Sequence, residues 1–420
     1  MSEDTKKAPA IRFQGFTDDW EQRKLGDIAE IKTGPFGSTL HAEDYVQSGI
    51  PIITTEHFKS GHLPESKDGT PQVSDEDYSR LKSYILKKGD IVFSRVGSVD
   101  INALVTTLQD GWLFSGRVLR VRSQKQFDSD YLHYLLDTLP VKNDIISRAV
   151  GQTMPSINTE ILKSTKLVLS KNIEEQKLIA GTLRKLDDTL ALHQRNAALL
   201  KRLKEAYLKR MFPQNSENIP LLRFSDFSDP WEQRKFEDFA ENFNYGLNAS
   251  AMEFDGENKY IRITDIDEDS HRFIQSGLTS PNTDLLNADD YLLKEGDILF
   301  ARTGASVGKS YQYEPQDGKV YYAGFLIRAR IKPEFDSSFI FQNTLTEKYN
   351  NFIKITSQRS GQPGVNAQEY ANLTIMVPSR GEQVKLGNFF KQLDYAIAPH
   401  QRKIEKLTEA KKVLLAKMFV

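Results

Sequence analysis

Two polar loops carry the side chains best suited to chemistry. Residues 147–158 read SRAVGQTMPSIN and residues 356–366 read TSQRSGQPGVN. Arginine, glutamine, serine and asparagine can bond phosphate oxygens and read base edges, and glycine lets backbone approach a ligand closely. Arg148, Gln152, Ser156, Arg359, Gln362 and Asn366 are therefore candidate DNA contacts, joined by Arg95, Arg302 and Lys309. The competing reading of each loop is an ordinary polar connection.

Other chemistry is hard to assemble. Residues 304–310, GASVGKS, resemble a phosphate-binding loop but have three residues between the glycines where that motif needs four. The aligned stretch of the first half, from Gly97, has no Gly-Lys-Ser, so a hairpin tip is the better reading. There is no cysteine, which excludes disulfides, thiolate metal sites and a cysteine nucleophile. The seven histidines lack metal-ligand spacing, and there is no Asp-Pro-Pro-Tyr or Asn-Pro-Pro-Phe methyltransferase motif, no His-Glu-x-x-His and no dinucleotide-binding glycine signature. No catalytic or metal site is expected. A hidden nuclease or nucleotide hydrolase would have to depend on Lys309.

The elements that position these loops come in duplicate. Residues 11–30 (IRFQGFTDDWEQRKLGDIAE) and 222–241 (LRFSDFSDPWEQRKFEDFAE) are identical at 12 of 20 positions. LKKGDIVFSRVG from Leu86 matches LKEGDILFARTG from Leu293, and both halves end in Glu-Gln, Leu-Asp, His-Gln-Arg and Met-Phe at an offset of 207. Residues 34–77 and 246–290 share almost nothing. One scaffold with two different surfaces suits a binder of two different targets.

Each copy ends at heptad spacing. Ile179, Leu183, Leu186, Leu190, His193, Ala197, Leu200, Lys204, Tyr207 and Met211 form one apolar seam. Leu386, Phe390, Leu393, Ile397, His400, Ile404, Leu407, Lys411, Leu414 and Met418 form the other. Such seams predict two coiled-coil helices of about 35 residues, roughly 50 Å each. A pseudo-twofold relation between the copies would make them antiparallel. His193 and His400 are expected to fix register, and Pro399 to break the second helix near residues 398–400. Residues 176–212 carry nine Lys/Arg against three Asp/Glu, and residues 383–419 eight against three. That suits a solvated face, or a face for DNA phosphates or a partner subunit.

The expected fold class is α+β: two similar globular domains joined by two long antiparallel coiled-coil helices. The divisions are a first domain at 1–170, a helix at 171–212, a linker at 213–220, a second domain at 221–378 and a helix at 379–420. Strands are expected at 50–54, 89–93, 119–122, 296–300 and 326–331 in a partly antiparallel sheet, with short helices at 130–139 and 337–350. Trp20 and Trp231 read as core anchors. Net charge is −1 and mean hydropathy −0.50, with no apolar run long enough to span a bilayer. A cytoplasmic protein without membrane contact is expected, binding through local rather than global charge.

The paired Trp-Glu-Gln-Arg-Lys openings, the Gly-Asp-Ile-x-Phe-x-Arg strands, the Gly151-Gln152 and Gly361-Gln362 loops and the helices from Glu-Gln to Met-Phe resemble the specificity subunits of type I restriction–modification systems across nearly the whole chain. Pro399, Asn172-Ile173 and the head interiors depart from the pattern. The resemblance implies two target-recognition domains, each reading half of an asymmetric bipartite site in double-stranded DNA, with the helices setting the spacer. It implies partnership with two methyltransferase subunits carrying S-adenosylmethionine, and with restriction subunits using ATP and magnesium. No cofactor is expected on this chain. The rival is a non-catalytic scaffold whose duplicated heads bind proteins.

Overall fold

The computed structural model describes residues 8–35, 39–214, 217–358 and 361–420. They form two compact units: residues 1–192 with 403–420, and residues 193–402. The division falls inside the long helices rather than at their ends. Each unit therefore holds a globular lobe and one segment of either helix.

In the first unit, β1 (Glu21–Lys24) pairs antiparallel with β8 (Lys166–Leu169). The central sheet has the order β2 (Ala29–Thr33), β7 (Val118–Ser123), β4 (Asp90–Ser94), β5 (Asn102–Leu104), all antiparallel. Every residue of β4 is buried, as expected for a central strand with both faces covered. A smaller parallel pair joins β3 (Ile50–Ile53) to β6 (Leu113–Phe114). Three short helices follow: α1 (Ser129–Leu136), α2 (Leu139–Ser147) and α3 (Thr159–Lys163).

The second unit repeats this plan. β9 (Glu232–Lys235) pairs with β16 (Thr374–Val377). The sheet order is β10 (Ala240–Tyr245), β15 (Leu326–Ile331), β12 (Asp297–Ala301), β13 (Ser310–Gln312), and β11 (Lys259–Ile261) lies parallel to β14 (Val320–Tyr322). Its short helices are α4 (Ser337–Asn343), α5 (Glu347–Thr356) and α6 (Ala367–Ala371). The expected strands are present; the central sheet of each unit is wholly antiparallel, and the smaller sheets beside them include one parallel pair in each unit. The helix expected over 337–350 is two helices, because Thr346 turns out of the helix and caps the next, accepting from the Tyr349 amide. The helix expected over 130–139 likewise ends at Leu136, with Pro140 in the first turn of α2.

The long helices are Ile173–Met211 and Arg380–Met418, 39 residues each. Asn172, a departure from the family pattern, caps the first through its side-chain oxygen, 2.9 Å from the Glu174 amide. The expected break at Pro399 is absent: the second helix runs through it. Proline removes one backbone donor, and the buried neighbours Ile397 and Ala398 together with the His193–His400 contact hold the turn.

All the seam residues are buried or half-buried. In the second unit the contacts run His193–His400, Lys204–Asp394 and Tyr207–Phe389, so one helix advances as the other retreats and the packing is antiparallel. The two histidines meet Nδ1 to Nδ1 at 2.8 Å, so one ring donates and the other accepts. In the first unit Lys411 meets Asp187 at 2.7 Å.

The repeated sequence words are joints. Glu175, fully buried, accepts two bonds from Arg12 (2.6 and 3.0 Å), one from the Trp20 indole (3.2 Å) and one from Ser170 (2.5 Å). Arg223 grips Glu382 in the same way at 2.8 and 2.7 Å. Gln176 accepts from the Asp128 amide and donates to the Ser170 carbonyl; Gln383 repeats this with Asp336 and Pro378. The Met-Phe ends also enter cores. Phe419 packs on Trp20 at 6.3 Å, and Phe212 on Trp231 at 5.9 Å. Both tryptophans are core residues, as their sequence positions suggested.

Candidate nucleic-acid interface

The Gly-Asp-Ile strand explains how each unit aims its loops. Asp90 is buried, accepts from the Lys87 amide and is bound by both arms of Arg122 at 2.6 and 2.7 Å. Asp297 does the same with Lys294 and Arg330, at 2.8 and 2.9 Å for the arginine. These hydrogen bonds hold the guanidinium pKa of Arg122 and Arg330 above the ordinary arginine value, against the opposing effect of burial. The strand is pinned at its start, and its far end presents Arg95 or Arg302.

In the first unit, residues 150–156 form a closed loop. The Val150 amide donates to the Ser156 carbonyl at 2.9 Å, and the Ser156 amide to the Val150 carbonyl at 2.8 Å. Gly151 supplies the positive φ of 102° that this turn requires. The Gly97 amide bonds the Pro155 carbonyl, strapping the loop to the end of β4. Gln152, Thr153 and Met154 stand exposed at its tip. Ser156 is half-buried and its hydroxyl bonds the Val150 carbonyl.

Other expected contacts have work inside the lobe. Arg148 ties the end of α2 to α3, bonding the Asp144 carboxylate and the Ile161 carbonyl, Ser164 and Thr165. Arg95 donates to the carbonyls of Gly116 (3.0 Å) and Ile157 (3.3 Å).

In the second unit, the Gly304 amide bonds the Pro363 carbonyl and the Val365 amide bonds the Arg302 carbonyl, the same strap in other residues. Gln362 is exposed, its amide nitrogen against Gly304. Arg359 lies outside the described residues. Asn366 caps α6 in a reciprocal box with Glu369, as Asn158 caps α3. Residues 304–309 lie in the connection between the hairpin strands β12 and β13, and Ser310 opens β13. Lys309 lines a cavity of about 470 Å³ and bonds the Ile266 carbonyl and Glu268. Arg302 stands apart: its guanidinium lies 5.1 Å from the ring of Tyr245 and 5.7 Å from that of Phe325. Neither aromatic was singled out from the sequence, because only the pairing of neighbouring strands brings them to Arg302.

Thus Gln152, Ser156 and Arg95 gather at one edge of the first lobe, and Gln362 and Arg302 at the matching edge of the second. Arg148, Asn366 and Lys309 serve local structure. Among the described residues, no group of three His, Asp or Glu side chains is placed to hold a metal ion, and no helix is long and apolar enough to cross a membrane.

Comparison with known proteins gives this arrangement a context. A model of the type I restriction modification DNA specificity domain matches twice, at residues 17–202 and 228–409. The type I restriction enzyme MjaVIII specificity subunit of Methanocaldococcus jannaschii is 20% identical over 410 residues, 95% of this chain and 91% of that protein. The MjaIX specificity subunit of the same organism is 23% identical over 304 residues, 69% of this chain and 67% of that protein. The crystal structure of a type I restriction–modification S subunit from M. genitalium superposes with a TM-score of 0.70 over 98% of this chain and 99% of that one, at 16% identity, a likeness of fold.

Proposed function

The chain belongs to the type I restriction modification DNA specificity family, and from that premise we propose that each unit reads one half of an asymmetric bipartite DNA site. It is a specificity subunit of a type I restriction–modification system. The observation that carries the finer reading is the pair of matching lobe edges with unlike side chains. Gln152 and Met154 stand out in one, and Arg302, Tyr245, Phe325 and Gln362 in the other. Equal frames with unequal tips are what two different half-sites need.

In this reading the chain performs no catalysis in the cytoplasm where it works. Two methyltransferase subunits supply S-adenosylmethionine, restriction subunits supply ATP- and magnesium-dependent cleavage, and the specificity chain positions both on DNA. Helix length, rather than lobe chemistry, sets the unspecified spacer. A local basic helix face assists DNA or partner binding although net charge is −1.

Methylation mapping in cells carrying the intact system tests this. The expected product is one asymmetric motif of two half-sites with a fixed gap. Lengthening both long helices by one turn changes the gap and leaves the half-sites alone. A contiguous motif, or half-sites altered by the insertion, refutes it. A salt-dependent shift on duplex DNA with methyltransferase subunits present separates this reading from a protein-binding scaffold.

A further inference from the structure

We propose that Arg302 reads a guanine in the half-site bound by the second unit, held in plane by the rings of Tyr245 and Phe325. This rests on the DNA-recognition reading above and adds a residue and a base to it. Three neighbouring strands build the arrangement. Tyr245 is the last residue of β10, Phe325 immediately precedes β15, and Arg302 immediately follows β12. The Arg302 amide donates to the Phe325 carbonyl at 3.1 Å, and the Tyr245 hydroxyl accepts from the Ala367 amide at 3.3 Å.

The guanidinium is oriented but uncommitted. Two rings flank it, yet among the described residues it has no hydrogen-bond or ion-pair partner, and its Nε is closed off from solvent. The outer pair of nitrogens is what remains to offer. A planar fork presented end-on matches O6 and N7 of guanine in the major groove. A phosphate also accepts a planar fork, and the guanine scan below separates the two. The rings themselves are unusually open, Phe325 at 60% and Tyr245 at 43% exposure, which marks a surface awaiting a partner.

The first unit supplies the contrast. There Arg95 occupies the equivalent position, its amide bonding the Arg117 carbonyl as that of Arg302 bonds Phe325. Thr33 and Arg117 stand where Tyr245 and Phe325 stand, and the Arg95 guanidinium is turned to the carbonyls of Gly116 and Ile157. One arginine of the repeat is structural and its twin is a reader.

The test uses the complete complex with its methyltransferase subunits. Each guanine of the methylated motif is replaced in turn by 7-deazaguanine, which lacks the N7 acceptor. Wild-type complex is expected to lose roughly tenfold to a hundredfold in binding at one position of one half-site, the discrimination a bidentate arginine–guanine pair gives. Arg302→Lys, which keeps charge but not the fork, should remove that sensitivity and relax the methylated motif at that base pair alone. Tyr245→Leu with Phe325→Leu should relax the same position, and Arg95→Lys should leave it sensitive. No sensitive guanine in the wild-type scan overturns the proposal, whatever the variants do. So does sensitivity that survives Arg302→Lys, or a uniform loss on all sequences with a shallower salt dependence, the mark of a phosphate contact. If the wild-type complex methylates no sequence-defined site at all, the DNA-recognition reading itself fails.

Discussion

Arg223→Ala should cost more than Arg12→Ala, although the two arginines occupy the same place in the repeat. Each binds a buried carboxylate with both arms: Glu175 at 0% exposure and Glu382 at 1%. Removing one member of a buried ion pair typically costs about 3–5 kcal/mol, because a charge is left without water or partner. Glu175 would keep the Trp20 indole and the Ser170 hydroxyl. Glu382 would keep nothing among the described residues, since the Trp231 indole nitrogen is buried without a partner. Hydrogen bonds to charged groups contribute about 1.5–3 kcal/mol each. We therefore place Arg12→Ala near 3 kcal/mol and Arg223→Ala near 5 kcal/mol, at the two ends of the buried-pair range. At about 2–4 °C per kcal/mol for units of this size, the two midpoint shifts should differ by roughly 4–8 °C in calorimetry of the purified chain. Arg223→Met with Glu382→Leu should recover most of the loss, because no charge remains to strand. Equal losses would refute the reasoning and mean that the Trp231 indole swings onto Glu382 once the arginine is gone.

Three shorter predictions concern pH, the helix seam and chain crossing. Burial pushes the His133 imidazole down to about 4, with Lys411 and His62 acting in the same direction and Asp137 and Asp187 opposing. The unfolded chain then holds the extra proton, so stability is fully present above about pH 6.5 and is lost as pH falls towards 4, by at most about 3 kcal/mol, less what partial solvent contact removes. His133→Gln should flatten that slope in acid-denaturation curves; an unchanged slope rejects it. Lys204→Glu, facing Asp394 across 2.7 Å, should destabilise by roughly 2–4 kcal/mol in urea, and Asp394→Lys added to it should restore at least half. Gly246→Ala should cost about 2–3 kcal/mol, since a Cβ there would lie 2.2 Å from the Ala323 carbonyl oxygen; unchanged unfolding would mean that the backbones part freely.

The duplication and the heptads were legible because both are periodic. A seam of Leu, Ile and His at steps of three and four has one physical solution, a paired helix, and the histidines meet as the register required. The Trp and Gly-Asp-Ile words were legible as repeated, but not as joints: nothing local says that Arg12 will find Glu175, 163 residues away. Asn366 is a candidate DNA contact in a sequence, Asn-x-x-Glu, that also spells a capping box, and its side chain forms that cap. Pro399 predicts a break on local propensity alone, and packing against the neighbouring helix overrides it. Tyr245 and Phe325 were invisible, since only the closure of three strands brings them to Arg302.

The two copies, compared with each other, separate framework from reader without any outside alignment. Arg12 and Arg223, Glu175 and Glu382, Gln176 and Gln383, and Asp90 and Asp297 are identical pairs, and in both units their polar groups are spent on bonds inside the lobe. A buried carboxylate tolerates few replacements, because almost any change strands a charge or opens a hole. Thr33 and Tyr245, or Arg117 and Phe325, differ in size, charge and aromaticity, yet their backbones make matching bonds. An exposed side chain on a fixed backbone can be exchanged at little cost in stability. The same pinned strand can therefore end in an arginine turned inward in one lobe and one presented outward in the other. Recognition is free to change at the rim because the fold is decided at the joints.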